Sequence, residues 1–297
     1  MQKTHLQHFI ILNIAMLFIS TSGVLGRYIN LPPPLTIWSR SIIAFILLGG
    51  YVLFKKKSFN IDFKKNGGTV VFSGILMAGH WIAYFFALQW SNVAIGMLSL
   101  FTYPILTILM EPFFFPVQYQ KRHLWLGIMI LLGVFLLAPS YDLENDITKG
   151  ILVGLFSSLC YSLRNVLLKK RIATIDGSVL MFYQMGVSAV LLLPALSYFE
   201  MTTYQEKLPF ILLLGILTTA VGHTLFLNSF KNFSIGTVSI MSSIQPIYGI
   251  LFGIVFLSEI PSFRSIIGGL LIFMTVFIEQ KSTQTKPEKK VSLNKKI

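Results

Sequence analysis

One cysteine in 297 residues, Cys160, rules out a disulfide within the chain, and its place inside an apolar run gives it no redox partner. Charge is scarce too: charged residues make up 12%, about half the share usual in soluble domains. Acidic residues are the rarest of these, 11 against 24 Lys and Arg. Patterns that carry chemistry are also missing. Without a Walker-type glycine loop the chain cannot be driven by its own ATP hydrolysis. There is no His-Glu-x-x-His, no Gly-x-Ser-x-Gly and no His/Cys grouping at ligand spacing, so we expect no enzyme, no metal site and no cofactor. No segment reads as a selectivity filter or a ring of like charge, which argues against a pore. The first apolar block, residues 8–26, lacks a small-residue cleavage motif and reads as a span, not a removable leader.

What fills the chain is apolar: 54% hydrophobic and 14% aromatic residues. They come in blocks of about 17–23 positions, enough to cross about 30 Å of hydrocarbon as helix. The expected fold is all-α and integral to the membrane, with ten spans near 8–26, 35–54, 68–90, 93–115, 122–139, 149–168, 178–198, 208–230, 235–257 and 263–279. A net charge of +13 would suit nucleic acid if it were gathered on a soluble face. It is instead segregated along the chain. With the N-terminus inside, eighteen of the 24 basic residues fall on one side, including Lys55, Lys56, Lys57, Lys231 and the tail from 281 to 297. The other side holds Arg27, Lys149, Lys207 and Arg264 with the acidic "YDLENDITK", while Arg40 and Arg164 lie within spans. This positive-inside asymmetry predicts a cytoplasmic (inner) membrane protein with both termini cytoplasmic. Its expected partners are the bilayer and a small solute, not nucleic acid, with the chain a monomer or homodimer.

Landmarks of the first half return in the second at a near-constant offset. "GILMAGHW" from Gly74 matches "GILTTAVGHT" from Gly215, Gly79-His80 matches Gly222-His223, "AIGM" at Ala94 matches "SIGT" at Ser234, and Pro104 matches Pro246. Each unit, 1–145 and 146–280, carries five spans. An odd number turns the second copy upside down, and inverted repeats give a carrier two states of similar energy around a central site.

Ten spans, five-plus-five halves, the prolines of spans four and nine, and the endings "PILTILMEPFFF" and "PIYGILFGIVFLSE" resemble the EamA-type transporters of the drug/metabolite transporter superfamily over about residues 8–280. The resemblance implies ten helices around a central cavity and alternating-access transport of small metabolites. The halves differ at one expected position: Glu259 follows Pro246 by thirteen residues, where the first half has Val117 after Pro104.

Polar groups in lipid gather where protein or water can satisfy them. His80 and Tyr84 share a face of span three, and His223 takes the matching place in span eight; each is a neighbour-bonded histidine or a site residue. Pro104 and Pro246 free backbone carbonyls in mid-membrane and are candidate hinges, with Ser99 and Tyr103 beside the first and Gln245 beside the second. Arg40 is countered by Gln184 when "IWSRSIIAFILL" is laid over "MFYQMGVSAVLL". It either snorkels outward or faces the cavity. Glu111 and Arg164 lie at similar depth towards the cytoplasm, where they could pair as a gate or, for Glu111, carry protons. The candidate substrate site is therefore Arg40, His80, Tyr84, Ser99, Tyr103, Gln184, His223 and Gln245. The expected function is secondary transport of an amino-acid-like or drug-like metabolite, more in keeping with export. The alternatives are a flippase for a lipid-linked intermediate and a structural membrane subunit.

Overall fold

A computed structural model describes residues 2–116, 121–138, 142–168, 175–233, 238 and 241–284, with side chains from residue 7 to 278. Every regular element among these residues is helical. The first, α1 (Gln2–Ile29), ends at Asn30 in a left-handed conformation with φ 49°. The prolines that follow open α2 (Pro33–Phe54) and occupy its first turn, where a missing N–H costs nothing. Next come α3 (Phe63–Trp90), α4 (Val93–Leu100) and α5 (Tyr103–Phe114), followed by α6 (Lys121–Leu137), α7 (Asp146–Leu168) and α8 (Gly177–Leu191). The remainder is α9 (Met201–Leu213), a π-helical stretch (Leu214–His223), α10 (Thr224–Ser229), α11 (Ile244–Leu257) and α12 (Phe263–Gln284).

Six helical stretches are long and apolar enough to cross a bilayer: Gln7–Ile29, Pro33–Phe54, Phe63–Trp90, Val93–Phe114, Asp146–Leu168 and Met201–Ser229. Shorter apolar helices stand at Gly177–Leu191, Ile244–Leu257 and Phe263–Ile278. Large apolar side chains such as Ile46, Trp125, Leu131, Val255 and Phe256 are exposed around the outside. That surface suits lipid, not water.

Local chemistry moves several boundaries from where hydropathy puts them. The Asp62 side chain accepts from the Lys65 N–H, so α3 starts five residues before the apolar block. Span seven is not α-helical to residue 198: α8 stops at Leu191 and a 3-10 helix, Leu193–Tyr198, runs on through Pro194. Span eight starts at Met201, earlier than expected. The fourth span is broken at Phe101–Thr102, and α5 restarts with Pro104 in its first turn. The same happens at Ser242–Ser243, after which α11 opens with Pro246 in its first turn. Both matched prolines thus sit where a helix has just begun. The stretch "SIGT", Val117 and the tail beyond residue 284 lie outside the described residues.

In the bundle α1 packs against the π stretch and α11, α2 against α8 and the π stretch, and α3 against α7 and α8. α4 packs against α7 and α11, α5 against α7, and α6 against α12. Most buried apolar residues form one core; a smaller cluster including Ile95, Leu126, Val134 and Ile272 joins α4, α6 and α12. There α6 and α12 touch backbone to backbone. A Cβ on Gly133 would lie 2.9 Å from the Gly268 carbonyl oxygen, and one on Gly268 2.6 Å from that of Gly133.

Candidate functional site

Both ends of the bundle are tied by ionic contacts. At one end the Glu259 carboxylate, beyond α11, accepts from Arg27 Nε at 2.9 Å and from the backbone N–H of Val93 at 2.7 Å. Arg27 Nη1 also donates to the Gln89 carbonyl at 2.6 Å. One carboxylate thereby joins the ends of α1, α3, α4 and α11. At the opposite end Asp176 caps α8 through the Ser178 N–H and receives Lys57 at 3.0 Å and Lys231 at 3.4 Å. That cluster ties the loop after α2 to the start of α8 and the turn after α10. Neither cluster was legible as a contact in the sequence: Arg27 and Glu259 are 232 positions apart.

Between the two ends is a cavity of about 20 Å³, room for about one water molecule. His80, Tyr84, Tyr103, His223 and Gln245, all picked out from sequence, line it together. Ser22, Trp81, Met97 and Tyr161 line it as well and were not among the chosen residues. Trp81 was available as the neighbour of His80 in "GHW", and Tyr161 as the aromatic one turn before Arg164.

The imidazole of His80 stacks on Tyr161 with ring centroids 4.5 Å apart. The hydroxyl of Ser157 donates to the His80 carbonyl, so His80 Nδ1 donates to Ser157 Oγ at 2.8 Å. That leaves Nε2 as the free ring nitrogen. His223 stands edge-on to Trp81, and its Nδ1 has no protein partner.

Arg40 does not snorkel. It is fully buried, its Nε donates to Thr219 Oγ1 at 2.8 Å, and Nη1 reaches Ser22 Oγ at 3.4 Å. The guanidinium carbon lies 4.0 Å from the Trp81 ring centre and 5.7 Å from that of Phe85, so its face is covered and its edge is not. Thr219 is presented by the π-helical stretch, where its hydroxyl bonds back five residues to the Leu214 carbonyl. Such widened turns recur at functional sites, and hydropathy carries no trace of them.

Gln184, the counterpart of Arg40, is turned elsewhere. Its side chain accepts from Arg164 Nη2 at 2.7 Å and donates to Ser73 at 2.9 Å. Arg164 also contacts Asn165 and Met181 and is fully buried. The Glu111–Arg164 pair suggested by their depth is not formed: neutral amides within reach of α7 take the guanidinium instead, while Glu111 stays half-buried in the last turn of α5. Ser99 packs against Gly154 of α7 and is not in the cavity wall. Among the described residues no group of His, Cys, Asp and Glu could hold a metal ion.

The EamA-like transporter family matches this chain twice, over residues 8–138 and 148–278. An uncharacterized transporter of Archaeoglobus fulgidus is 28% identical over 215 residues, 71% of this chain and 74% of that protein. The pseudopaline exporter CntI of Pseudomonas aeruginosa is 21% identical over 82% of this chain and 84% of its own. A solved crystal structure superimposes with a TM-score of 0.69 at 18% identity, covering 94% of this chain and 98% of that one. That likeness speaks for the fold, and the doubled family match speaks for the lineage. This all-helical, multi-pass membrane protein belongs to the EamA-like transporter family, within the drug/metabolite transporter superfamily.

Proposed function

We propose that the chain is a secondary carrier of the cytoplasmic membrane that moves a small organic metabolite outward by alternating access. Its ten spans form two inverted five-helix repeats, 1–145 and 146–280, around the central cavity. The observation that carries this reading is the pairing of helices about that small cavity. Number the spans in order, with α4–α5 as the fourth and α9 through α10 as the eighth, and exchange each span with the one five later. The pair α1 with the π stretch becomes α7 with α3, α1 with α11 becomes α7 with α4 and α5, and α2 with the π stretch becomes α8 with α3. The pairs α2–α8, α4–α11 and α6–α12 map onto themselves. Side chains bridge the exchanged spans too, though at unmatched positions on spans eight and three: Arg40 of span two bonds to Thr219 of span eight, and Gln184 of span seven to Ser73 of span three. A bundle whose halves are interchangeable in this way can open to either face at similar cost.

On this reading the Glu259 and Asp176 clusters close the two mouths, the breaks before Pro104 and Pro246 are the hinges, and both termini are cytoplasmic. Arg40, His80, Tyr84, Tyr103, His223 and Gln245 meet the solute, with Ser99, Gln184 and Arg164 behind them. Outward transport draws on the relative named as an exporter. Comparing metabolites inside and outside cells that carry or lack the protein tests the proposal. At least one small solute should accumulate outside in its presence and inside in its absence. Identical profiles across growth conditions would sink the carrier reading.

A further inference from the structure

The bundle interior has a deficit of negative charge. Arg40 and Arg164 are both fully buried, and neither meets a carboxylate: their partners are Thr219 and Ser22 for the one, Gln184, Asn165 and Met181 for the other. Among the described side chains no acid is buried: Glu111, Asp176 and Glu259 are half-buried and the rest are exposed. Uncompensated charge in a dry interior is strongly unfavourable, so a guanidinium with an unpartnered edge beside the cavity implies an anion in the working cycle.

Arg40 is not itself in the cavity wall but stands directly behind it, stacked on Trp81 and in reach of Ser22, both of which line the cavity. Thr219 takes Nε, and Trp81 with Phe85 takes the ring-like face. The remaining edge, Nη1 and Nη2, carries only the long contact to Ser22, and Nη2 has no partner at all. Two parallel N–H groups on one edge match the two oxygens of a carboxylate. The hydroxyl of Tyr84 is buried without a partner, and Tyr84 lines the cavity together with Ser22 and Trp81, the two residues Arg40 reaches there. His223 Nδ1 is likewise unpartnered, and its ring stands edge-on to the Trp81 on which Arg40 stacks. No acidic group lines the cavity to hold an ammonium. A zwitterion would leave the charge deficit unchanged, whereas an anion reduces it.

Building on the carrier reading, we infer that the transported solute is an organic carboxylate with net negative charge and no ammonium group. Its carboxylate docks on the Nη1–Nη2 edge of Arg40 with the Tyr84 hydroxyl donating, and its neutral remainder lies against Trp81, Tyr161 and His80. The class is that of N-acyl, hydroxy or keto acids, not free amino acids.

Four probes that share one benzyl group separate the charges: N-acetylphenylalanine (anion), phenylalanine (zwitterion), phenylalaninamide (cation) and N-acetylphenylalaninamide (neutral). Thermal unfolding of the purified full chain is followed with each, because a ligand that binds only the folded state raises the melting temperature. N-acetylphenylalanine should stabilise and the other three should not. Arg40→Gln should weaken its apparent affinity about tenfold or more. Without ligand this variant should melt no lower than wild type, because an unpaired buried cation has been removed; a purely structural arginine would give a lower melting point. Tyr84→Phe keeps the ring and its packing and should weaken the anion about threefold to tenfold. It carries the test if Arg40→Gln does not fold. Equal stabilisation by phenylalanine or phenylalaninamide would overturn the assignment, as would no response to N-acetylphenylalanine. An exported solute that proved cationic or zwitterionic would overturn it too, leaving the carrier reading intact. Unchanged metabolite profiles together with a charge-selective shift would do the reverse.

Discussion

At Asp176 one carboxylate serves as helix cap and as counter-ion to two lysines from different loops. Partial burial pushes its carboxyl up, but the Ser178 hydroxyl and N–H, Lys57 and Lys231 outweigh that and hold it well below the usual carboxylate range. A depressed folded value means the unfolded chain takes up the proton first. The stabilisation is therefore present above the ordinary carboxylate value near 3.9 and is lost only as pH falls through the lower folded value. Asp176→Asn keeps a capping oxygen but loses the charge. Because the cluster is about one third exposed, the expected cost at neutral pH is about 0.5–1 kcal/mol. The melting-temperature gap between wild type and variant should be constant from pH 7 to about pH 5 and shrink in stronger acid. Equal melting temperatures at neutral pH would show that the cluster contributes nothing. Sequence located titratable and polar residues at this scale but not their partners. His80 and His223 were legible as cavity residues because the two copies of Gly-His could be compared. For Gln184 the alignment with Arg40 gave depth and not the direction of a flexible side chain, which here meets Arg164.

Between α4 and α5 the chain leaves the helix for two residues before Pro104, and it does so again before Pro246. Alanine at either position restores a donor and allows the two pieces to merge into one straight helix. Pro104→Ala and Pro246→Ala should insert normally but slow exchange between inward- and outward-open forms by about threefold to tenfold, equivalent to about 1 kcal/mol of barrier. Labelling rates of single cysteines engineered at each mouth report the exchange, in a Cys160→Ser background because that thiol is the one native cysteine. Wild-type rates in both variants would reduce the prolines to packing features. Helix existence was well legible, because apolar length is dictated by bilayer thickness. Helix ends and the π stretch were not: Asp62, Pro194 and the back-bonded Thr219 act through single hydrogen bonds that hydropathy averages away.

Taken as a whole, the molecule gathers Lys57, Asp176 and Lys231 at one end and Arg27, Gln89, Val93 and Glu259 at the other. This is the alternation that the basic-residue asymmetry assigns to cytoplasm and exterior. A reporter enzyme fused after residue 145 should act outside, and one fused at the tail inside. The reverse at both sites would invert the orientation, and agreement at one alone would mean a miscounted span. The buried arginines also bear on what drives such a carrier. Over a full cycle the protein's own charges return to where they began, so only the charge of the solute crosses the field. An inside-negative membrane does work of about 2.3 kcal/mol on each anion leaving per 100 mV, enough to sustain about a fiftyfold concentration ratio. If the solute leaves as an organic anion, its export needs no coupled proton: the voltage across the membrane is sufficient fuel.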